Sequence, residues 1–235
     1  MSGTSSDGLD CCDVDIDIDS NYNFKFHIHK FSTIPFSNSE KSFLLSLRDK
    51  DCDPSNLSDE VTDIFIRKIE KFNECSNFDI IACHGQTVKH IDRIVSIQLL
   101  NEKLLYKKFK VPITYNFRAN DILCSGSGAP LMPFLDWLLF SHLDREILTL
   151  NIGGISNITY IPKDKKRDGV IGFDTGPGMS LVDKAVTKIF NEPCDLDGKY
   201  SKKGKVDSKL LSKLMENDYI IKSPPKSTDI DEFGD

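Results

Sequence analysis

Polar and apolar positions alternate strictly over residues 12–19 (CDVDIDID), with Val14, Ile16 and Ile18 on one face of an extended chain and Asp13, Asp15 and Asp17 on the other. The same period of two recurs over residues 23–31, where Phe24, Phe26 and Ile28 oppose Lys25, His27 and His29. A period of two is that of a β-strand. The intervening DSNY reads as a turn, so the two segments predict an antiparallel hairpin with one wet face. The acids and histidines of that wet face predict cross-strand charge pairing rather than a metal site.

The period then lengthens. Residues 39–48 predict a helix. A second is predicted over residues 58–73, with Ser58 as its N-cap and Val61, Ile64, Phe65, Ile69 and Phe72 at helical spacing. Residues 78–83 (FDIIAC) predict a short buried strand ending in HGQT, and residues 96–99 and 111–115 a further strand pair. The apolar run 131–143, interrupted by Pro133 and Asp136, is too short to span a membrane and reads as a buried helix. Residues 180–190 predict a helix with Leu181, Val182, Ala185, Val186, Ile189 and Phe190 on one side, and the basic cluster at 163–167 reads as a hairpin loop or its flank. The pattern is a mixed α/β one, βββαβα, without an internal repeat.

Three glycine-rich stretches carry the candidate chemistry. LNIGGISNITYI (residues 150–161) reads as a hairpin turning on Gly153 and Gly154. GFDTGPGMSLVD (172–183) reads as a strand, a Gly-Pro-Gly turn and a helix that starts near Ser180. The opening MSGTSSDGLD supplies hydroxyls at Ser2, Thr4, Ser5 and Ser6, backbone N–H groups around Gly3 and Gly8, and the acid Asp7. These are the makings of an anion nest, though not of a Walker loop. Asp174, at a strand end beside a glycine turn, sits where a general base could sit, or else caps the helix that follows. His84 and Gln86 lie at the carboxyl end of the strand 78–83, the end at which α/β sheets hold ligands; a hydrogen-bonded core histidine is the alternative. His90 lies six residues beyond His84. Arg118 suits a carboxylate or phosphate, or else ties down its loop by pairing with Asp121.

Composition narrows the class. At 235 residues, 39% hydrophobic and 28% charged, the chain can bury a core, and a net charge of −6 argues against a nucleic-acid partner. No apolar run reaches spanning length and no leader pattern follows Met1, so no membrane partner is expected. Seven cysteines, an odd count with no CxxC, predict reduced thiols and a cytoplasmic setting.

GTSSDGLD, ACHGQTVKH, FRANDILCSGSGAPLMP, LNIGGISNIT, GFDTGPG and PPKST occur here in an order that resembles the anhydro-N-acetylmuramic acid kinases, from Met1 to about Thr228. The resemblance implies an actin-like ATPase (ribonuclease H-like) fold, with a mixed central sheet flanked by helices. It implies an ATP-dependent kinase that hydrolyses the 1,6-anhydro bridge of anhydro-N-acetylmuramic acid and phosphorylates the 6-hydroxyl, within cell-wall sugar recycling. Asp174 would be the catalytic base. ATP phosphates would lie against Gly3, Thr4, Ser5, Ser6, Asp7, Gly8, Leu9 and Asp10 and the Gly153–Gly154 turn, with Asn151 and Asn157 flanking that turn. Mg²⁺ would be held through Asp7 or water. The amino sugar would meet His84, Gln86, Arg118, Asp121, Gly126 and Gly176. A homodimer is left open.

Four positions depart from the family pattern: Met179 where asparagine is usual, Ser127 for glutamine, Asn116 for aspartate, and Leu100 for glycine. The resemblance further implies a strand ahead of the GTS turn and a glycine-rich adenosine-binding part after PPKST. The chain is therefore expected to hold one lobe and the start of a second. Two alternatives stand beside the kinase: a non-catalytic remnant of it, and an actin-like kinase of another amino sugar.

Overall fold

The computed structural model describes residues 1–2, 7–47, 54–72, 78–164 and 166–233. They form two compact units, Met1–Gly128 and Ala129–Asp235.

The first unit opens with the predicted hairpin, β1 (Gly8–Ile18) against β2 (Phe24–Pro35). The Asp19 carboxylate closes its tip by accepting the backbone N–H groups of Asn21 and Asn23 and the Asn23 side-chain amide. The register passes from Asp13 opposite Lys30 to Val14 opposite Ile28, so His29 is a bulge residue. His29 Nε2 lies 2.8 Å from Asp15, a cross-strand acid–histidine pair of the kind expected on this face. The apolar face is not the core face, however. Leu9, Cys11 and Ile34 pack inward, and alternation then turns Val14, Ile16 and Ile18 the other way. Ile16 is 61% exposed and Ile28 49%.

α1 (Asn38–Ser46) begins in a capping box between Ser37 and Glu40, and Lys68 of the next helix pairs with Glu40 at 2.6 Å. α2 (Pro54–Phe72) starts four residues before the predicted Ser58 cap, on the fixed φ of Pro54. Ser58 therefore lies inside the helix, where its carbonyl accepts the Thr62 hydroxyl. The predicted stripe is right: Val61, Ile64, Phe65 and Phe72 are buried, and with Leu9, Phe36, Leu44, Leu99 and Leu105 most of them make the core.

β3 is only Ile81–Ala82, followed by β4 (Gln86–Ile91), β5 (Val95–Leu99), α3 (Glu102–Phe109), β6 (Ile113–Thr114) and α4 (Phe117–Leu123). The predicted pairing of 96–99 with 111–115 does not form. β5 pairs antiparallel with β4 across a three-residue turn, and β6 pairs parallel with β3. The local hairpin closes a far shorter loop, which favours it.

The second unit contains α5 (Met132–Phe140), an antiparallel sheet of β7 (Ile147–Ile152), β8 (Ile155–Ile161) and β9 (Ile171–Pro177), then α6 (Ser180–Phe190), α7 (Ser208–Met215) and α8 (Asp218–Ile221). The described residues of the basic cluster, 163, 164, 166 and 167, fall in the β8–β9 connection, as predicted. α5 forms where a buried helix is expected, yet Phe134 is 48% exposed, and the buried residue is Asp136, whose Oδ2 accepts the Thr149 and Thr159 hydroxyls at 2.7 and 2.6 Å. The expected single central sheet is not seen. The described residues carry four small sheets of two, two, two and three strands, so the mixed α/β class holds without one continuous ladder.

Candidate active site

In the first unit, β3 delivers the chain into Cys83, His84, Gly85 and Gln86. The side chains of Cys83, His84 and Gln86 are buried, Gln86 to 1% exposure. His84 Nδ1 lies 3.0 Å from the Gly85 carbonyl, and Arg118 Nε donates to His84 Nε2 at 3.0 Å. An acceptor Nε2 places the ring proton on Nδ1, which donates to Gly85. Burial first, and the Arg118 cation second, depress the His84 pKa to about 4, so the ring is neutral near pH 7. Arg118 also donates from Nη1 to the Gly128 carbonyl at 2.8 Å.

The same loop is closed from its other side by Asp121. Its Oδ2 accepts the Gly128 N–H at 2.7 Å, and its carbonyl accepts the Gly126 N–H at 2.8 Å. A Cβ on Gly126 would stand 2.3 Å from the Asp121 carboxylate, so only glycine allows that approach. A Cβ on Gly128 would lie 3.6 Å from His90 Cε1, which places His90 beside this loop. The structure thus brings together His84, Arg118, Asp121 and Gly126, with Gln86 next along the chain. Arg118 and Asp121 both serve the Gly126–Gly128 turn.

In the second unit the two glycine motifs are joined directly. The Gly153–Gly154 turn links β7 to β8, with Asn151 opposite Asn157. The Gly153 carbonyl accepts from Met179, and the Gly154 carbonyl from Gly178 and Ser180. The hairpin turn therefore occupies N–H groups at the start of α6. A Cβ on Gly178 would fall 2.2 Å from the Gly153 oxygen. Gly176 stands opposite Ser156 in the ladder, and the Thr175 hydroxyl donates to the Ser156 carbonyl at 3.1 Å.

Asp174 lies on β9 and is 4% exposed. It does not cap α6, which begins six residues later. Its carboxylate Oδ2 accepts the Thr228 N–H at 3.0 Å, its N–H donates to the Lys226 carbonyl at 2.9 Å, and its carbonyl accepts the Tyr219 hydroxyl at 2.7 Å. Lys226 is itself buried. Its ammonium donates to the Tyr219 and Ile220 carbonyls at 2.6 and 3.1 Å and stands 4.5 Å from the Tyr219 ring centroid. Burial, then the like charge of Lys222, draws the Lys226 pKa down from its ordinary value. PPKST is part of the ordered motif set, yet neither Lys226, Thr228 nor Tyr219 is assigned a role from sequence. The signal for Lys226 and Thr228 was a Lys-Ser-Thr run behind two prolines; Tyr219, ahead of that run, carried none.

The opening stretch is described only in part: Gly3, Thr4, Ser5 and Ser6 lie outside the described residues. Asp7 is exposed and ion-paired with Lys41. Gly8 is buried, and the Leu9 side chain belongs to the core, so Leu9 can offer a ligand only its backbone. The Asp10 carboxylate accepts the Thr33 hydroxyl at 2.6 Å. No helix of the described residues is long and apolar enough to cross a membrane.

A sequence profile of the anhydro-N-acetylmuramic acid kinase family matches residues 1–234. Among curated proteins, the anhydro-N-acetylmuramic acid kinase of Clostridioides difficile (strain 630) is 39% identical over 165 residues, covering 68% of this chain and 43% of that protein. The protein of the same name from Bacillus cereus (strain 03BB102) is 33% identical over 250 residues, covering all of this chain and 65% of that protein. One from Bacillus thuringiensis (strain Al Hakam) is similar to the same extent. The chain therefore spans about 65% of the length of the Bacillus relatives that it matches throughout. With the profile matched along almost its whole length and the site motifs in place, the chain belongs to the anhydro-N-acetylmuramic acid kinase family.

Proposed function

We infer that the chain works as an ATP- and Mg²⁺-dependent kinase of anhydro-N-acetylmuramic acid, yielding N-acetylmuramic acid 6-phosphate for cell-wall sugar recycling. The observation that carries this reading is Asp174, a buried carboxylate with one oxygen fixed by the Thr228 N–H. In the reaction, water attacks the anomeric carbon while Asp174 takes a proton from it. The bond from that carbon to the bridging oxygen breaks. That oxygen, left on carbon 6, accepts the γ-phosphoryl group of ATP, and ADP departs. A positioned general base contributes roughly 10²–10⁴-fold in rate.

The other residues take supporting roles. Arg118, held by His84 and Gly128, suits the lactyl carboxylate of muramic acid, and the neutral His84 and buried Gln86 suit hydroxyl or N-acetyl groups. Residues 7–10 and the Gly153–Gly154 turn serve the phosphates. Asp7 is the carboxylate through which Mg²⁺ would be held, since one carboxylate with substrate phosphates is an ordinary magnesium donor set. Lys41 would then have to release it, because the two are ion-paired here. Bound Mg²⁺ supplies charge neutralisation on the phosphates.

The test is phosphate transfer from ATP to anhydro-N-acetylmuramic acid by the purified chain and by its Asp174→Asn variant. Product from the parent and a fall of about 10²-fold or more in the variant are expected. Equal rates would remove Asp174 as the base. A folded parent that binds the sugar without turnover would favour the non-catalytic alternative. Transfer to a different amino sugar alone would move the substrate assignment.

A further inference from the structure

Lys226 carries a cation that the proposed reaction does not use, and it is 3% exposed. A buried ammonium is costly unless its donors find acceptors. Here Nζ donates to the Tyr219 and Ile220 carbonyls at 2.6 and 3.1 Å and stands 4.5 Å from the Tyr219 ring centroid. Those carbonyls lie toward the C-terminal end of α8, where a lysine can meet carbonyls that a helix leaves over. Filling the space needs no charge: a methionine has a similar length and would be spared the desolvation. What the ammonium adds is a fixed place for the main chain that it grips.

α8 in turn holds Asp174. The Tyr219 hydroxyl donates to the Asp174 carbonyl at 2.7 Å, and the Asp174 N–H donates to the Lys226 carbonyl at 2.9 Å. The contacts close a ring: Asp174 to the Lys226 main chain, the Lys226 ammonium to the Tyr219 main chain, and the Tyr219 hydroxyl back to Asp174. Ile220 braces that ring, since its Cδ1 stands 2.7 Å from where a Cβ on Gly176 would lie. Two residues beyond Lys226, the Thr228 N–H reaches Asp174 Oδ2 at 3.0 Å. One short segment thus fixes both the main chain and the carboxylate of Asp174, and the Lys226 ammonium ties that segment to α8.

We propose that Lys226 is a positioning residue for Asp174: its ammonium holds the end of α8, Tyr219 carries that hold to the Asp174 carbonyl, and the carboxylate is thereby aimed for proton transfer. The proposal rests on the reading of Asp174 as the base. Lys226 acts through α8 and not on a reacting atom, because its ammonium is bonded to main-chain carbonyls. A lysine that only stabilised the second unit would, when lost, loosen every element of that unit alike. A lysine that positions Asp174 loosens the Thr228–Asp174 contact first.

Lys226→Met keeps the stem and removes the ammonium, whereas Tyr219→Phe removes only the hydroxyl. The parent, both variants and the double variant are compared at equal concentrations of folded protein. In Lys226→Met, residue-resolved amide exchange at Thr228 should quicken about tenfold or more beyond any change at the β8 amides. The kcat for phosphate transfer to anhydro-N-acetylmuramic acid should fall about tenfold, with KM for the sugar within about twofold. The double variant should lose no more than about twofold beyond the worse single one, since both act through one ring. Lys226→Gln, which can still donate to a carbonyl, should fall between parent and Lys226→Met, and it carries the test if the methionine variant does not fold. The proposal is overturned by Thr228 exchange that changes only as β8 does, by fully additive losses, or by an unchanged kcat. Exchange needs no turnover. A parent that phosphorylates no sugar therefore counts against Asp174 as the base, while Thr228 exchange alone decides whether Lys226 holds it.

Discussion

His84 is held neutral by burial and by the Arg118 guanidinium that donates to it, with a folded-state pKa of about 4 against an ordinary 6.5. A histidine depressed in this way favours folding at pH values above its unfolded pKa. That contribution fades as pH falls from about 6.5 towards 4, because the unfolded chain takes up the proton first. Between about pH 7.5 and about pH 4.5 the parent should lose roughly 2–3 kcal/mol more stability in urea titrations than the His84→Gln variant. Equal losses would show that the ring titrates normally. Gly126 offers a second test at this scale. In Gly126→Ala the new methyl group meets the carboxylate that holds Gly128, so urea midpoints should report a loss of about 1–3 kcal/mol. An unchanged midpoint would mean that Asp121 can swing aside without cost.

Among the elements, α3 depends on one cap. The Asn101 side chain accepts from the N–H groups of Lys103 and Leu104 and donates to Asp59 at 2.6 Å. Asn101→Ala should cost about 1–2 kcal/mol, read by thermal unfolding with helical ellipticity; a loss below about 0.3 kcal/mol would show that water replaces the cap. α3 was legible in principle: an asparagine precedes Glu102, with Leu105 and Phe109 four apart, but eight residues make a weak periodic signal. Long signals fared better. The stripe of α2 and the two long strands were readable because periodicity is local. The face that β1–β2 turns inward was not, because alternation says which residues share a face and not which face meets α2. The partner of β5 was missed for a related reason: β4 begins inside the HGQT motif, which the sequence marks for chemistry and not for a strand.

Across the molecule, cysteine reactivity reports how burial is distributed. Cys12 and Cys124 are exposed, Cys83 is buried, and burial raises the thiol pKa of Cys83 and of Cys11. With an aromatic disulfide reagent near pH 8, peptide mapping should find Cys12 and Cys124 modified roughly a hundredfold faster than Cys83, which should react only on unfolding. Comparable rates would mean that the core around Cys83 opens readily. The grouping of the candidate residues was legible where it is local in sequence. Arg118, Asp121 and Gly126 fall within nine residues, and Asp174 sits inside its own motif. What holds Asp174 was not, since its partners stand 45 and 54 positions away at Tyr219 and Thr228.

That separation also has a meaning in time. A ribosome adding about 5–20 residues per second reaches Thr228 about 3–11 s after Asp174. Through that interval the nascent chain carries the candidate base without the N–H that fixes it. Until Thr228 has been made and has docked, Asp174 Oδ2 lacks the backbone N–H that fixes it, so any step that needs that oxygen held in place must wait for a segment 54 positions downstream.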